Sequence, residues 1–264
     1  MKKIKSAIIA CGMLLTSVSQ AGMVEDVTER GVLRVGMSSF VPWAMRAKDG
    51  SFIGFEPDVA RRLAADMGVE ADIVPTAWDG IIPALLAKKF DLIIGGMSVT
   101  PARNLQINFS NAYGYNGYEL AASKERMGDA SKIEDFNRPE IVFALRRGTI
   151  PVEVVKKQMP QATIRQFDDE AAALQEMLNG RADAWVGAVP GPANFAAENP
   201  EKIFLPFDEY LAADHAGIAI RKGDADGLNF LNNWITLRTN DGWLQERHDY
   251  WFKGREWRPL VGDK

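Results

Sequence analysis

The sequence predicts an α/β protein built as two lobes. Three observations carry this. Apolar strand-like runs alternate with amphipathic helical stretches over residues 31–98, and the same plan returns over 140–189. Two short extended stretches, "GYELAAS" (117–123) and "AGIAIRK" (216–222), lie where the chain would cross between the blocks. A length of 264 residues, 47% hydrophobic and 25% charged, is enough for one large domain or two modest ones.

In chain order, "GVLRVGMS" (31–38) reads as a buried strand. In "DVARRLAADMG" (58–68), Val59, Leu63 and Met67 recur at helical spacing and Gly68 ends the helix. "VEADIVPT" (69–76) is a second strand. "WDGIIPALLAKKF" (78–90) is helical, with Asp79 as its expected cap and Ile82, Leu85 and Leu86 on one face. "DLIIGGMS" (91–98) is a third strand, which makes right-handed crossovers and a mainly parallel sheet.

The second block repeats the plan. "EIVFALRRGT" (140–149) is a strand entering a turn, and "PVEVVKKQMP" (151–160) is a helix with Pro151 in its first turn. "ATIRQF" (162–167) is a strand. "DDEAAALQEMLNGR" (168–181) is a helix capped by Asp168 or Asp169 and ended by Gly180. "ADAWVGAV" (182–189) is another strand, in which Trp185 reads as core. A closing helix over 228–252 is broken near 240–242. The crossings divide the chain into lobe 1 (22–119 and 219–264) and lobe 2 (120–218).

Composition removes several function classes. Residues 1–21 combine a basic start, an apolar middle and small residues Ser19 and Ala21, the form of an export signal cut after Ala21. "IIAC", ending at Cys11, is a weaker lipoprotein-like alternative. Without residues 1–21 the chain has 28 basic and 35 acidic residues, and its basic residues form no stripe, so no nucleic-acid partner is expected. Cys11 is the only cysteine, and the two histidines, His215 and His248, stand far apart. No disulfide, thiol nucleophile, metal site or cofactor is therefore expected. The nucleophile-elbow motif of serine hydrolases is missing.

The stretch "GGMSVTPARNLQINFS" (95–110) ends an apolar run with two glycines and sets Ser98, Thr100 and Arg103 close behind. Glycines admit close approach, and hydroxyls with an arginine suit an anion. In parallel sheets ligands sit at the carboxyl ends of strands. Gly96 and Ser98 lie at such an end in the first block, Gly148 and Thr149 at one in the second.

The ordered set "GFEPDVARRLA", "WDGIIPALLAKKFDLIIGGMSVTPAR", "INFSNAY", "RRGT", "GRADAWVG" and "GIAIRKGD" resembles the extracytoplasmic solute-binding proteins, family 3, of polar amino-acid ABC importers. The resemblance covers nearly the whole chain after residue 21. It implies a type II periplasmic binding fold and a monomer that closes over a small carboxylate-bearing solute and delivers it to a membrane-embedded ABC permease. It implies that Arg103 clamps the carboxylate, assisted by Gly96 and Ser98. Gly148 and Thr149 add donors at a helix start, and Phe40 and Trp78 sandwich the ligand.

Two departures stand out. Where the family's amino-acid binders carry an acid for the ligand's ammonium, this chain has Ala188, so Glu153 would have to reach in or the ligand lacks a free α-ammonium. Oxo acids, dicarboxylates and N-substituted amino acids fit the second option. "LRRGT" adds Arg146 and Arg147, of which strand alternation turns one toward the cleft. Arg146 is taken as the site residue. Cyclohexadienyl and arogenate dehydratases resemble the same fold, but the general acid they imply near Gly191 has no counterpart before Glu198.

Overall fold

The structure, a computed structural model, describes residues 22–261. The expected export signal and Cys11 lie outside the described residues. Helix α1 (Met23–Arg30) leads into β1 (Val32–Met37), which pairs in parallel with β2 (Glu70–Pro75) and β3 (Leu92–Ile93). Leu33, Val35 and Met37, which alternation puts on one face of the strand, are fully buried. The crossover helix α2 (Phe55–Asp66) starts three residues before the periodic stretch that predicts it, and buries Val59 and Leu63. Gly68 takes φ +72° just beyond it, a left-handed turn that suits glycine.

The segment after β2 departs from expectation. Trp78–Gly80 forms a single 3₁₀ turn, so α3 (Ile81–Leu86) is capped by Gly80 rather than Asp79. Its buried positions are Ile81 and Leu85, and Leu86 is 47% exposed. The short helix α4 (Pro101–Asn104) is capped by Thr100, whose hydroxyl accepts from the Arg103 amide at 3.2 Å.

Two long strands then join the halves. β4 (Asn108–Ser123) runs out of the first half, through β5 (Val142–Arg146), α5 (Ile150–Gln158), β6 (Thr163–Phe167), α6 (Glu170–Leu178), β7 (Ala184–Ala188) and α7 (Gly191–Glu198). The chain adds β8 (Ile203–Phe204) and returns along β9 (Ala212–Ile220) to α8 (Ala225–Asn240) and α9 (Trp243–His248). The closing helix thus breaks at Gly242, φ +80°, as its sequence predicts. Asp169, not Asp168, caps α6 by accepting from the Ala172 amide at 2.8 Å.

The strands form one sheet in the order β2-β1-β3-β9-β4-β7-β5-β6, with β8 on β4. β1–β3 are parallel to one another, and so are β5–β7, while β4 and β9 pair antiparallel between them. The crossing stretches are therefore parts of a continuous two-stranded ladder, with register shifts at Ala216/Gly217 and Gly217/Ala219. Separate cores lie to either side. One is built on Leu33, Phe55, Leu63, Trp43 and Trp234, with a second layer of Ile81, Leu85 and Phe90. The other is built on Phe136, Phe143, Val155, Trp185 and Val186. Phe40 packs against both.

Candidate functional site

A cavity of about 560 Å³, including its open mouth, lies between the two cores. Phe40, Trp78, Gly96, Ser98, Arg103, Arg146 and Thr149 all line it, so residues from distant parts of the sequence converge. Gly148 stands at its edge with φ +73°, offering its carbonyl to the first lobe.

Arg103 holds a fixed pose. Its Nη1 donates to the Ser98 carbonyl at 2.9 Å and its Nη2 to the Gly148 carbonyl at 3.0 Å. Burial pulls its pKa below the usual guanidinium range, while Tyr118 and Asp214 favour its charged form. Trp78 Nε1 donates to the same Gly148 carbonyl at 3.2 Å. Arg146 comes from the end of β5, and its guanidinium donates to the Ser39 carbonyl at 3.1 Å and to the Ser38 hydroxyl. Burial lowers its pKa as well, opposed by Glu170, Asp169 and Asp79. Both guanidinium carbons lie 5.7 Å from the Trp78 ring centroid.

Strand alternation separates the two adjacent arginines. Arg147 points outward, pairing with Asp168 at 2.9 Å and reaching Asp79 at 4.0 Å. Asp79 therefore serves an interlobe ion pair, not a helix cap. Thr149 sits at the N-cap of α5, but its hydroxyl donates to the Arg146 carbonyl at 2.7 Å instead of capping.

Two expected helpers are engaged elsewhere. The Gly96 amide donates to Tyr113 Oη at 3.2 Å, and Tyr113 in turn donates to Glu56 at 2.7 Å. Glu56 is wholly buried, and burial raises its pKa to about 8. Gly96 has φ +62°, where a side chain is strained, and a Cβ there would make a tight 3.2 Å contact with Trp43. Ser98 Oγ lies 3.1 Å from Tyr118 Oη, which donates to Asp214 at 3.0 Å. Tyr118 has one proton and gives it to the carboxylate, so Ser98 is the donor in this chain.

The cavity also holds residues that the sequence reading left out: Asn116, Tyr118, Ile150, Pro151, Glu170 and Val186. Asn116 and Tyr118 are two apart on β4, so alternation puts them on one face, a signal open to sequence reasoning once the strand is extended. Asn116 donates to Asp214 at 2.9 Å, leaving its own buried carbonyl oxygen unpartnered. Glu153 does not reach the cavity; it pairs with Lys156 at 3.1 Å in a solvent-exposed position. The acid lining the cavity is Glu170, at the start of α6. Ala188 is 5% exposed and lines the wall, and Trp185 serves both the lobe 2 core and that wall.

Two α/β halves, a paired-strand crossing and an arginine-bearing cavity between them define a type II periplasmic binding fold. The chain belongs to the bacterial extracellular solute-binding proteins, family 3, matching that family over residues 33–254. It is 28% identical to the L-cystine-binding protein TcyJ of Escherichia coli over 250 residues, 94% of this chain and 93% of the relative. It is 25% identical to cyclohexadienyl dehydratase of Pseudomonas aeruginosa, again over 94% and 93%. A structure of a putative ABC-transporter binding component from Wolinella succinogenes, complexed with lysine, superposes with a TM-score of 0.80. It is 36% identical to this chain and covers 87% of it and 99% of itself.

Proposed function

We propose that this protein is a non-enzymatic, monomeric binding component of an ABC importer. It takes a small carboxylate-bearing solute between its lobes and presents it to a membrane permease. The observation that carries the reading is Arg103, poised by two backbone carbonyls at the wall of the interlobe cavity. Three of its five N–H groups remain for a ligand, and a guanidinium meets a carboxylate as a two-pronged fork. The nine-residue helix α5 adds to this, because Thr149, Ile150 and Pro151 at its start line the same cavity. Phe40 and Trp78 supply apolar walls.

A thermal-shift screen over amino acids, oxo acids, dicarboxylates and N-substituted amino acids tests the reading. Ligand at 100 times its dissociation constant stabilises by about 2.7 kcal/mol. In the same reading the protein is exported to the periplasm, cut after Ala21 and begins at Gly22. Intact-mass analysis of periplasmic protein checks this, and a diacylglyceryl adduct on Cys11 would refute it. Among the described residues no helix is long and apolar enough to cross a membrane.

A second reading, a dehydratase of cyclohexadienyl acids, is favoured by one observation: Glu170 lines the cavity and is a candidate proton donor to a departing hydroxyl. Turnover of prephenate or arogenate, followed by ultraviolet absorbance of the product, separates the two. We expect none.

A further inference from the structure

One charge on the cavity wall is left for the ligand. Arg103 gives two N–H groups to the neutral carbonyls of Ser98 and Gly148. Asp214 supports its charge only from behind, because its two oxygens accept from Asn116 at 2.9 Å and Tyr118 at 3.0 Å. Arg146 is matched within the protein: burial works against its charge, and Glu170, Asp169 and Asp79 support it. Glu170 is the one carboxylate among the lining side chains, against two guanidinium cations. A single surplus positive charge therefore remains, and it stands at Arg103. The rest of the wall is largely apolar, with Phe40, Trp78, Ile150, Trp185, Val186 and Ala188.

This count sorts ligands by charge. A zwitterionic amino acid meets Arg103 and then buries an ammonium, for which the lining side chains hold no spare acid: Glu170 supports Arg146, and position 188 is alanine. A dicarboxylate brings a second negative charge into a set that its first has already balanced. An ion with one carboxylate and no other charge closes the count.

We propose that the cavity selects a monocarboxylate whose remainder is uncharged and apolar, a 2-oxo acid or N-acyl amino acid with an alkyl or aryl body. This rests on the solute-binding reading above and narrows it. The carboxylate lies on Arg103, and the body fills the apolar part of the wall. Replacing the ammonium by an oxo or amide group removes the buried cation while leaving the anchor unchanged.

The test compares, by calorimetry, leucine and phenylalanine with their 2-oxo acids and their N-acetyl forms. Lysine, arginine, cystine and 2-oxoglutarate are run alongside; the last is close in size to the oxo acid of leucine but carries a second carboxylate. At least one ammonium-free monocarboxylate should bind about 30-fold or more tighter than its amino acid. It should also exceed 2-oxoglutarate by about tenfold or more. Glu170→Gln removes the balancing acid, so its cavity carries two surplus charges. That variant should shift preference toward 2-oxoglutarate by about tenfold or more, with circular dichroism confirming its fold. An unchanged preference in folded Glu170→Gln overturns the charge count and the proposal. Leucine and phenylalanine binding as tightly as their ammonium-free forms refutes the class, and so does tightest binding of lysine, arginine, cystine or 2-oxoglutarate; each leaves the solute-binding reading intact. No binding by any compound in the panel removes that reading, and the monocarboxylate class with it.

Discussion

Trp78 and Gly148 are tied across the cleft by one hydrogen bond, indole Nε1 to carbonyl oxygen, 3.2 Å long. The same oxygen accepts from Arg103 at 3.0 Å, so a single lobe 2 carbonyl grips two lobe 1 side chains. Its orientation depends on Gly148 holding φ +73°. Replacing Trp78 with Phe keeps an aromatic wall and removes the donor. A neutral hydrogen bond contributes about 1 kcal/mol, so ligand affinity should fall about fivefold. Calorimetry showing unchanged affinity would mean this bond has no part in closure.

Arg103→Ala removes the anchor itself. A charge-assisted bond contributes roughly 1.5–3 kcal/mol, and a carboxylate left buried and unpaired adds to the loss. Binding should weaken about a hundredfold or more, with circular dichroism unchanged. Arg103→Lys should recover only part, because one ammonium cannot reach Ser98 and Gly148 while also forking a carboxylate. Normal binding by Arg103→Ala would end the anchor account.

Ala188→Asp places a carboxylate on the cavity wall, where Ala188 is 5% exposed. It should weaken the wild-type ligand and improve simple α-amino acids, whose ammonium would gain a partner. Burying that ammonium unpaired costs on the order of 3–5 kcal/mol, so the gain should be at least tenfold. A variant with the wild-type ligand profile would show that position 188 does not face the ligand's nitrogen.

Glu56 makes stability depend on pH. Burial raises its folded pKa to about 8, against 4.5 when exposed, so between those values the folded state binds the extra proton. Stability from this group is therefore full below about pH 4.5 and is lost as pH rises toward 8. Glu56→Gln keeps an acceptor for Tyr113 without an ionisable group. It should match wild type near pH 4.5 and exceed it at pH 7, by on the order of 3 kcal/mol. Urea melts at several pH values measure this. Parallel pH profiles for the two proteins would show that Glu56 does not titrate in this range.

The strand–helix rhythm was legible because β1, β3, β5 and β7 carry dense apolar runs and their helices carry 3.6-residue periodicity. Arg103 and Gly148 stood out because glycines and a cation beside strand ends have few ordinary uses. Asp79 misled because a carboxylate before an apolar run looks like a cap, and nothing local reveals the 3₁₀ turn that shifts the cap to Gly80. Glu170 was hidden for a different reason. It reads as a routine acid in the first turn of α6, and only the packing of α6 against β5 within lobe 2 carries it to Arg146 and the cavity. Asn116 was obscured because the crossing stretch starts at Gly117, well inside β4, and Tyr118, within that stretch, read as part of the crossing and not as cavity wall.

The pairing of β4 with β9 has a consequence for how such a molecule can be rebuilt. Tyr118 on the outgoing strand lies opposite Ala212 on the returning one, so everything between them leaves and re-enters through adjacent strands roughly 5 Å apart. That span holds its own core. It is a cassette with neighbouring ends, and a relative's equivalent segment could be spliced in at two peptide bonds without cutting any helix. Such a chimera would keep Arg103 and Trp78 while importing a different residue at the position of Arg146, giving a transplantable half of the specificity.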